Sequence, residues 1–443
     1  MKSNVLFLLA MSCLFVANAQ NPSWNSSVST VLTDNIQSEK FQQKIKVYNE
    51  NTAFALTKKC NSKYYIEELV DTQVPSNKIA IGVDSIFDMA ILNDHIYFVG
   101  KNNNDGFIGK VRISALQSGS GYYELTPTPL YTIRTIKAYN DSNGKQHVVG
   151  IGRDTLSTSQ NFYFFDFNDA NTPNFELKPI QILRQVLCDL DITDKYIAVV
   201  GYTYGVNYHI EQSLIRIDKS NTSSIQGYAF DHTPNAFCLL PDSCHEKMLV
   251  RHTINNEVVI MMNAYDTFIN FSTFLNCVNL NNLNYIYSVQ SILHEEKDMK
   301  IRDAVYHIPT TQMFIVEDCT IKSIGMPQNI SYIMHSQPYL QTSYMLDCFF
   351  DFNNFTYFNC IDKLHSTRYI VAGVAENCVD SYIAVKDITQ NIGNCFRKFS
   401  YKVVPLTPIT ANSMVSTIVL QALNPSWNLY QSPIQNKIKV KCY

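Results

Sequence analysis

Charge is scarce in this chain. Only 16% of its residues are Asp, Glu, Lys or Arg, and the two signs nearly balance, with Lys and Arg numbering 35 against 38 for Asp and Glu. A nucleic-acid binder shows a basic excess or stripe, and neither is present, so that partner class is excluded. Alanine and glutamate are few for a helical protein, and no convincing long helix is found. Past the first residues no apolar run approaches the about 20 residues that span a bilayer, so no transmembrane segment is expected. Also missing are His-Glu-x-x-His, a zinc-finger arrangement of Cys and His, a Walker loop, and a glycine-rich dinucleotide loop following a strand. These gaps leave no cofactor or metal to expect. Tryptophan occurs only twice.

Tyrosine, phenylalanine, isoleucine, threonine and asparagine are abundant instead. Aromatic and β-branched side chains suit a pleated, half-buried surface. One unit recurs with its spacing kept. Phe87-Asp88-Met89-Ala90-Ile91, a turn at Asn93-Asp94, and Ile96-Tyr97-Phe98-Val99-Gly100 correspond to Cys188-Asp189-Leu190-Asp191-Ile192, a turn at Thr193-Asp194, and Ile197-Ala198-Val199-Val200-Gly201. The aspartate precedes the closing glycine by twelve positions in both. Looser copies lie at 132–152, 237–250, 302–316 and up to Gly373. The first four apolar runs centre near 98, 149, 199 and 249, a period of about 50 residues that matches four-stranded propeller blades.

The ends carry another duplication. Asn21-Pro22-Ser23-Trp24-Asn25 returns as Asn424-Pro425-Ser426-Trp427-Asn428, and Lys44-Ile45-Lys46-Val47 as Lys437-Ile438-Lys439-Val440. A closed array must join its first and last segments, because an open end leaves sheet edges exposed. The expectation is therefore an all-β propeller of seven four-stranded blades, six or eight being the alternatives. One blade is closed by both termini, residues 44–70 being completed by residues 405–442. With no linker-like composition inside it, residues 20–443 are expected to form one domain, with 20–43 as a lead-in, and a monomer.

Residues 1–19 read as a secretory signal: Lys2, an apolar run from Val5 to Val16, and an Ala17-Asn18-Ala19 exit. Ser12-Cys13 allows a lipoprotein alternative, but Leu14-Phe15-Val16 is not a polar tether. The expected location is secreted, periplasmic or cell-surface. Export permits disulfides. Of twelve cysteines, Cys13 lies in the leader, which leaves an odd number. Cys60 and Cys442 are candidates for a closure disulfide. Cys188 and Cys238, set in apolar runs, are expected to fill core. Glycosylation triplets occur at Asn25, Asn140, Asn221, Asn270, Asn329 and Asn354.

Asp88, Asp189 and Asp303 occupy equivalent places at the start of a first strand, the one nearest a propeller's axis. Such carboxylates either ring a cation or accept backbone N–H bonds. With three of six copies carrying one, the structural role is preferred. Cys238-x5-Cys244-His245 is the nearest approach to a metal cluster and is equally explained by a local disulfide. Ser118-Gly119-Ser120-Gly121 is a connecting loop rather than a nucleophile elbow, and no catalytic residue emerges. Loops 117–131, 202–211 and 341–360 carry aromatic residues. Tyr202, Tyr204, Tyr208, Tyr344 and Phe355 are the candidates for stacking on a ligand.

The two sharp copies, 87–113 and 188–217, resemble secreted bacterial β-propeller repeat proteins. The Trp-Asp ending of WD40 blades and the kelch Gly-Gly pair are both absent. The resemblance implies the fold and leaves activity open. The expected function is a non-enzymatic binding module for a glycan or protein ligand. The alternative is an extracellular polysaccharide-degrading hydrolase or lyase with an axial site.

Overall fold

The computed structural model describes residues 30–34, 44–58, 63–70, 77–153, 162–168, 174–180, 185–204, 210–222, 224–231, 248–265, 271–292, 296–307, 312–323, 326–336, 344–349, 356–365, 368–375, 381–387, 396–406, 411–414, 421–423, 428–431 and 439–442. Apart from one short helix, Ile113–Gln117, the regular structure there is strand. The strands form antiparallel four-stranded units. Unit 1 comprises Lys44–Asn49, Thr52–Lys58, Tyr64–Val70 and Lys78–Ile81; unit 2 comprises Ser85–Leu92, His95–Asn102, Asp105–Arg112 and Tyr122–Pro127. Unit 3 is Thr132–Asn140, Gln146–Arg153, Phe162–Asn168 and Asn174–Ile180; unit 4 is Gln185–Ile192, Tyr196–Tyr204, Ile210–Asp218 and Ile225–Asp231. Unit 5 holds Met248–His252, Glu257–Tyr265, Phe271–Asn279 and Asn284–Ile292; unit 6 holds Glu296–His307, Gln312–Ser323, Met326–Ser336 and Tyr344–Phe349. Unit 7 starts with Thr356–His365, Arg368–Ala375 and Ser381–Asp387 and takes its fourth strand, Thr30–Asp34, from the N-terminal end. The first strands touch in the order 1 to 7, and the first strand of unit 7 touches that of unit 1.

The continuous apolar second strands follow from this stacking. Successive side chains of a strand point to opposite faces, and here both faces meet a neighbouring sheet. Ile96 and Phe98 pack toward unit 1, whereas Tyr97 and Val99 pack toward unit 3. Unit 4 repeats the division: Ile197 and Val199 face unit 3, Ala198 and Val200 face unit 5. Ile45, Ala53, Ala55, Cys360, Ile370 and Ala372 form the corresponding layer between units 1 and 7. Full burial of one such large side chain stabilises by about 1.5–3 kcal/mol.

The Asp-to-Gly spacing has a physical cause. The first strands of units 2, 3, 4, 6 and 7 each carry a register shift, placing Phe87, Arg134, Cys188, Arg302 and Asn359 as the extra residue. The bulge pushes a backbone carbonyl against the second strand. A Cβ on Gly100 would lie 1.8 Å from the Ser85 carbonyl oxygen, and one on Gly201 would lie 2.2 Å from that of Val186. Glycine admits such a carbonyl in units 2, 3, 4 and 7, where Gly100, Gly152, Gly201 and Gly373 stand opposite the residue before the bulge; unit 6 carries Glu317 there. Aspartate and glycine are thus two ends of one bulged hairpin.

Three expectations are corrected. Unit 1 is complete by itself; the composite sheet is unit 7, which residues 30–34 and then Lys439–Cys442 extend. The 237–250 copy is one strand out of step: Met248–His252 is the first strand of unit 5 and Val258–Met261 belongs to its second, while Cys238, Cys244 and His245 lie outside the described residues. Most of the C-terminal region does not complete a blade. It returns as a belt along the outer edges, against the direction of the chain. Phe396–Leu406 pairs with the fourth strands of units 6 and 5, joining them into one nine-stranded sheet. Ala411–Met414 then pairs with unit 4, Gln421–Leu423 with unit 3, and Asn428–Gln431 with unit 2.

Gly201→Ala is expected to cost about 3 kcal/mol, the upper end for an overpacked interior. Gly119→Ala, at φ +85° in open space, is expected to cost about 1 kcal/mol. Denaturant midpoints of the two variants measure the difference.

Candidate functional site: a charged collar at the ring centre

Each bulge is followed by a residue at an equivalent place on its first strand. Aligned on it, the equivalent positions in units 2, 3, 4, 6 and 7 are Asp88, Thr135, Asp189, Asp303 and Cys360. Hydrogen bonds extend the alignment. Asp88 accepts from the Ile136 N–H at 3.0 Å, Asp189 from Val250 at 3.2 Å and Asp303 from Ile361 at 3.3 Å. In each case the donor sits one residue past the ring position of the next unit, which places Leu249 there in unit 5. Two residues farther along, Asp191 accepts from the His252 N–H and Asp362 from the Val47 N–H, at 2.7 and 2.8 Å. That register puts Lys44 at the ring position of unit 1. A second tier, two residues on, reads Lys46, Ala90, Lys137, Asp191, Arg251, Val305 and Asp362.

The three expected aspartates therefore do converge, and each is buried. Their oxygens are occupied. Asp88 also accepts from the Met89 N–H at 2.9 Å and from the Thr135 hydroxyl at 2.9 Å, and the same Thr135 Oγ1 stands 3.3 Å from Asp189 Oδ1. Arg251 bridges two units: its Nη1 is 2.5 Å from Asp189 and its Nη2 2.6 Å from Asp303. Its Nε donates to the Ala304 carbonyl and its Nη1 also to that of Val250. Lys44 Nζ lies 3.7 Å from Asp88, and Lys137 Nζ lies 3.2 Å from Asp191. Four cations thus face five carboxylates across the two tiers.

The electrostatics follow from that count. Burial favours neutral Asp303, but Lys44, Arg251 and Lys46 outweigh it and hold the carboxyl well below the usual range. Burial likewise opposes the charge on Asp191, and Lys137 and Arg251 reverse the balance, so its pKa is lowered. Lys44 is raised because Asp88, Asp303 and Asp189 together exceed the burial penalty; Lys46 is raised by Asp362, Asp303 and Asp88 in the same way. Arg251 is held protonated by Asp189, Asp303 and Asp191 against its burial.

Among the described residues no group of His, Cys, Asp and Glu is arranged to hold a metal ion. Cys188 is the bulge residue of unit 4, packed beside the core between units 4 and 5 with its thiol pushed up to about 12 by burial. Its filler role fits that placement. Tyr202 is corrected from a loop contact to a core residue: it is 5% exposed and packs between units 4 and 5. Tyr204 and Tyr344 lie at strand ends, with side chains outside the description, as is that of Cys442 at the end of the last strand. Tyr208, Phe355 and Cys60 lie outside the described residues.

Sequence reading missed the cations and the second tier. Lys44 and Lys46 alternate on a strand assigned to a split blade, and Arg251 fell in the unit read out of step. It also missed His147. That imidazole stacks on Tyr139 with ring centroids 5.1 Å apart, and its nitrogens lie 2.8 Å from Asp166 and 3.6 Å from Asp141. Burial opposes protonation of His147, but Asp166 overcomes it and the pKa is raised.

Replacing Arg251 with Met leaves Asp189 and Asp303 buried without their shared cation and is expected to cost about 3–5 kcal/mol. Arg251→Lys is not expected to rescue, since one ammonium does not reproduce the fork. Asp303 is depressed, so its contribution is present above the ordinary carboxylate range and is lost as pH falls through the lowered value. Acid unfolding of the Arg251→Met chain should therefore begin at higher pH than in the parent, as followed by circular dichroism. His147 has the opposite sign. Its contribution is full below the ordinary histidine value and is lost as pH rises through the raised one, so His147→Gln should flatten the pH dependence of stability between about pH 6 and 8.

No protein-family profile and no curated protein matches the chain. Twenty-four chains of known structure match it. One is the xylan β-1,4-xylosidase from Bacillus halodurans C-125, 9% identical, covering 91% of this chain and 99% of that one at a TM-score of 0.27. A likeness of that size carries no argument about fold or chemistry. What the geometry itself presents is a saturated, nearly neutral collar built from consecutive strands.

Proposed function

We propose that this chain is an exported seven-bladed β-propeller that binds a glycan or protein ligand through loops on one face and performs no reaction at its axis. The observation that carries the reading is the saturation of the collar. A glycosidase-type site needs one carboxyl raised to serve as the acid. Here the cations drive Asp303 and Asp191 the other way. Each of Asp88, Asp189 and Asp303 already spans two units through backbone N–H bonds. The axial aspartates are in this view structural, and ligand contacts belong to the connections between strands.

The test is a glycan array read in parallel with a reducing-end assay on the same polysaccharides. The expected outcome is retention of one or more glycans without release of new ends. Release of ends by the parent, lost on Asp189→Asn in a chain that still folds, would replace this reading with the hydrolase one.

A further inference from the structure

Three cations around the start of unit 3 pair with no carboxylate among the described residues. Arg134 is the bulge residue of the strand Thr132–Asn140. It stands one residue before the collar position Thr135, on the side away from the second tier, where the first strands begin. Arg153 ends the second strand directly across from Thr132, and diagonal neighbours on an antiparallel pair are within reach of long side chains. Arg134 is exposed and Arg153 half-buried. The Nε of Arg153 is buried without a hydrogen-bond acceptor. Burial and the nearby charge of Arg134 lower the Arg153 pKa, with Tyr131 opposing them, so the two guanidinium groups stand close enough to repel. From unit 2, Lys101 places its Nζ 4.1 Å from the Tyr131 ring centroid and donates to the Tyr131 hydroxyl. The Tyr131 N–H in turn donates to the Arg153 carbonyl at 2.7 Å. Asp84, a carboxylate at the same end of unit 2, is taken by the Asn103 N–H at 2.8 Å.

We propose that Lys101, Tyr131, Arg134 and Arg153 form an anion-binding site at the rim of the ring, and that the group it takes is the carboxylate of an acidic sugar. The inference rests on the binding reading above and names its ligand class. The set offers donors and no acceptor. Guanidinium and ammonium groups only donate, and the Tyr131 oxygen that receives Lys101 still has its own O–H proton to give. An anion complements such a set, and a buried donor without a partner is costly until one arrives. The collar shows the contrast: Lys44, Lys137 and Arg251 there each meet a carboxylate of the chain itself. A carboxylate suits the rim because its two oxygens match the guanidinium fork. A sugar suits it because hydroxyl groups stand beside the carboxylate, and the half-buried Tyr131 hydroxyl, set between Lys101 and Arg153, meets one of them. An acidic side chain of a peptide brings its carboxylate alone. Tyr131 also lies in the connection between units 2 and 3, the kind of segment to which the binding reading assigns ligand contacts.

The test titrates the full-length chain by calorimetry with short oligomers of galacturonate and of glucuronate, with their methyl esters, with polyglutamate and with inorganic sulfate. The parent is expected to bind one of the acids and not its ester, which keeps the ring and loses the charge. Arg134→Gln and Arg153→Gln should each weaken that binding at least about 10-fold, the loss of one charge-assisted pair. Arg153→Lys should recover only part of it, since an ammonium lacks the fork. Raising the ionic strength from about 0.05 to about 0.5 M should weaken binding to the parent itself, a reading that needs no variant to fold. Binding that ignores salt, equal affinity for acid and ester, no binding of either acid, or variants that bind as the parent does would each overturn the site. Sulfate or polyglutamate bound as tightly as the uronates would overturn the ligand class. Neutral glycans retained equally by the parent and by Arg134→Gln would leave the binding reading standing and remove this one, whereas retention of no glycan would remove both.

Discussion

The hydrogen bond that a backbone N–H of one first strand donates to an aspartate on the preceding one is the interaction on which this architecture depends. Sheets stacked only through apolar faces can slide, since dispersion and the hydrophobic effect have little direction. A buried carboxylate that must accept a particular N–H does not slide. Asp88, Asp189 and Asp303 join units 2 to 3, 4 to 5 and 6 to 7, and Asp362 joins 7 to 1. The remaining junctions use side-chain partners: Lys44 with Asp88, Thr135 and Lys137 with unit 4, Arg251 with Asp303. Every neighbouring pair is pinned at the centre.

That arrangement explains why the charges sit together in a chain with so few. Buried carboxylates are costly unless paired, and a neighbour's N–H does not neutralise them. Cations must come from other units. Unit 1 supplies Lys44 and Lys46 and unit 5 supplies Arg251, so no single unit is electrically complete. The collar then has its lowest energy only when the ring is whole.

The units were legible in the sequence because a strand buried on both faces writes a continuous apolar run, and because glycine stands opposite the bulge in units 2, 3, 4 and 7. Ile96 to Gly100 and Ile197 to Gly201 announced both facts. Unit 5 is out of step in the sequence reading because Leu249 carries no acid and its described residues, Met248–His252, pair without a register shift. The collar was half legible. Its aspartates recur with the units, whereas its cations occur once each and acquire meaning only when the circle brings distant strands together. The belt was not legible at all: three-residue pairings such as Gln421–Leu423 leave no periodic pattern, and the edges that select them lie hundreds of positions away.

The two end strands have a kinetic meaning. Thr30–Asp34 precedes the other described strands in the chain, yet its partner Ser381–Asp387 follows some 350 residues later. Pairings so distant in sequence are slow to form. During synthesis the chain therefore carries an unmatched strand near its head and no belt on its edges, which makes that stage, rather than the finished ring, the one at which this protein is most vulnerable to aggregation.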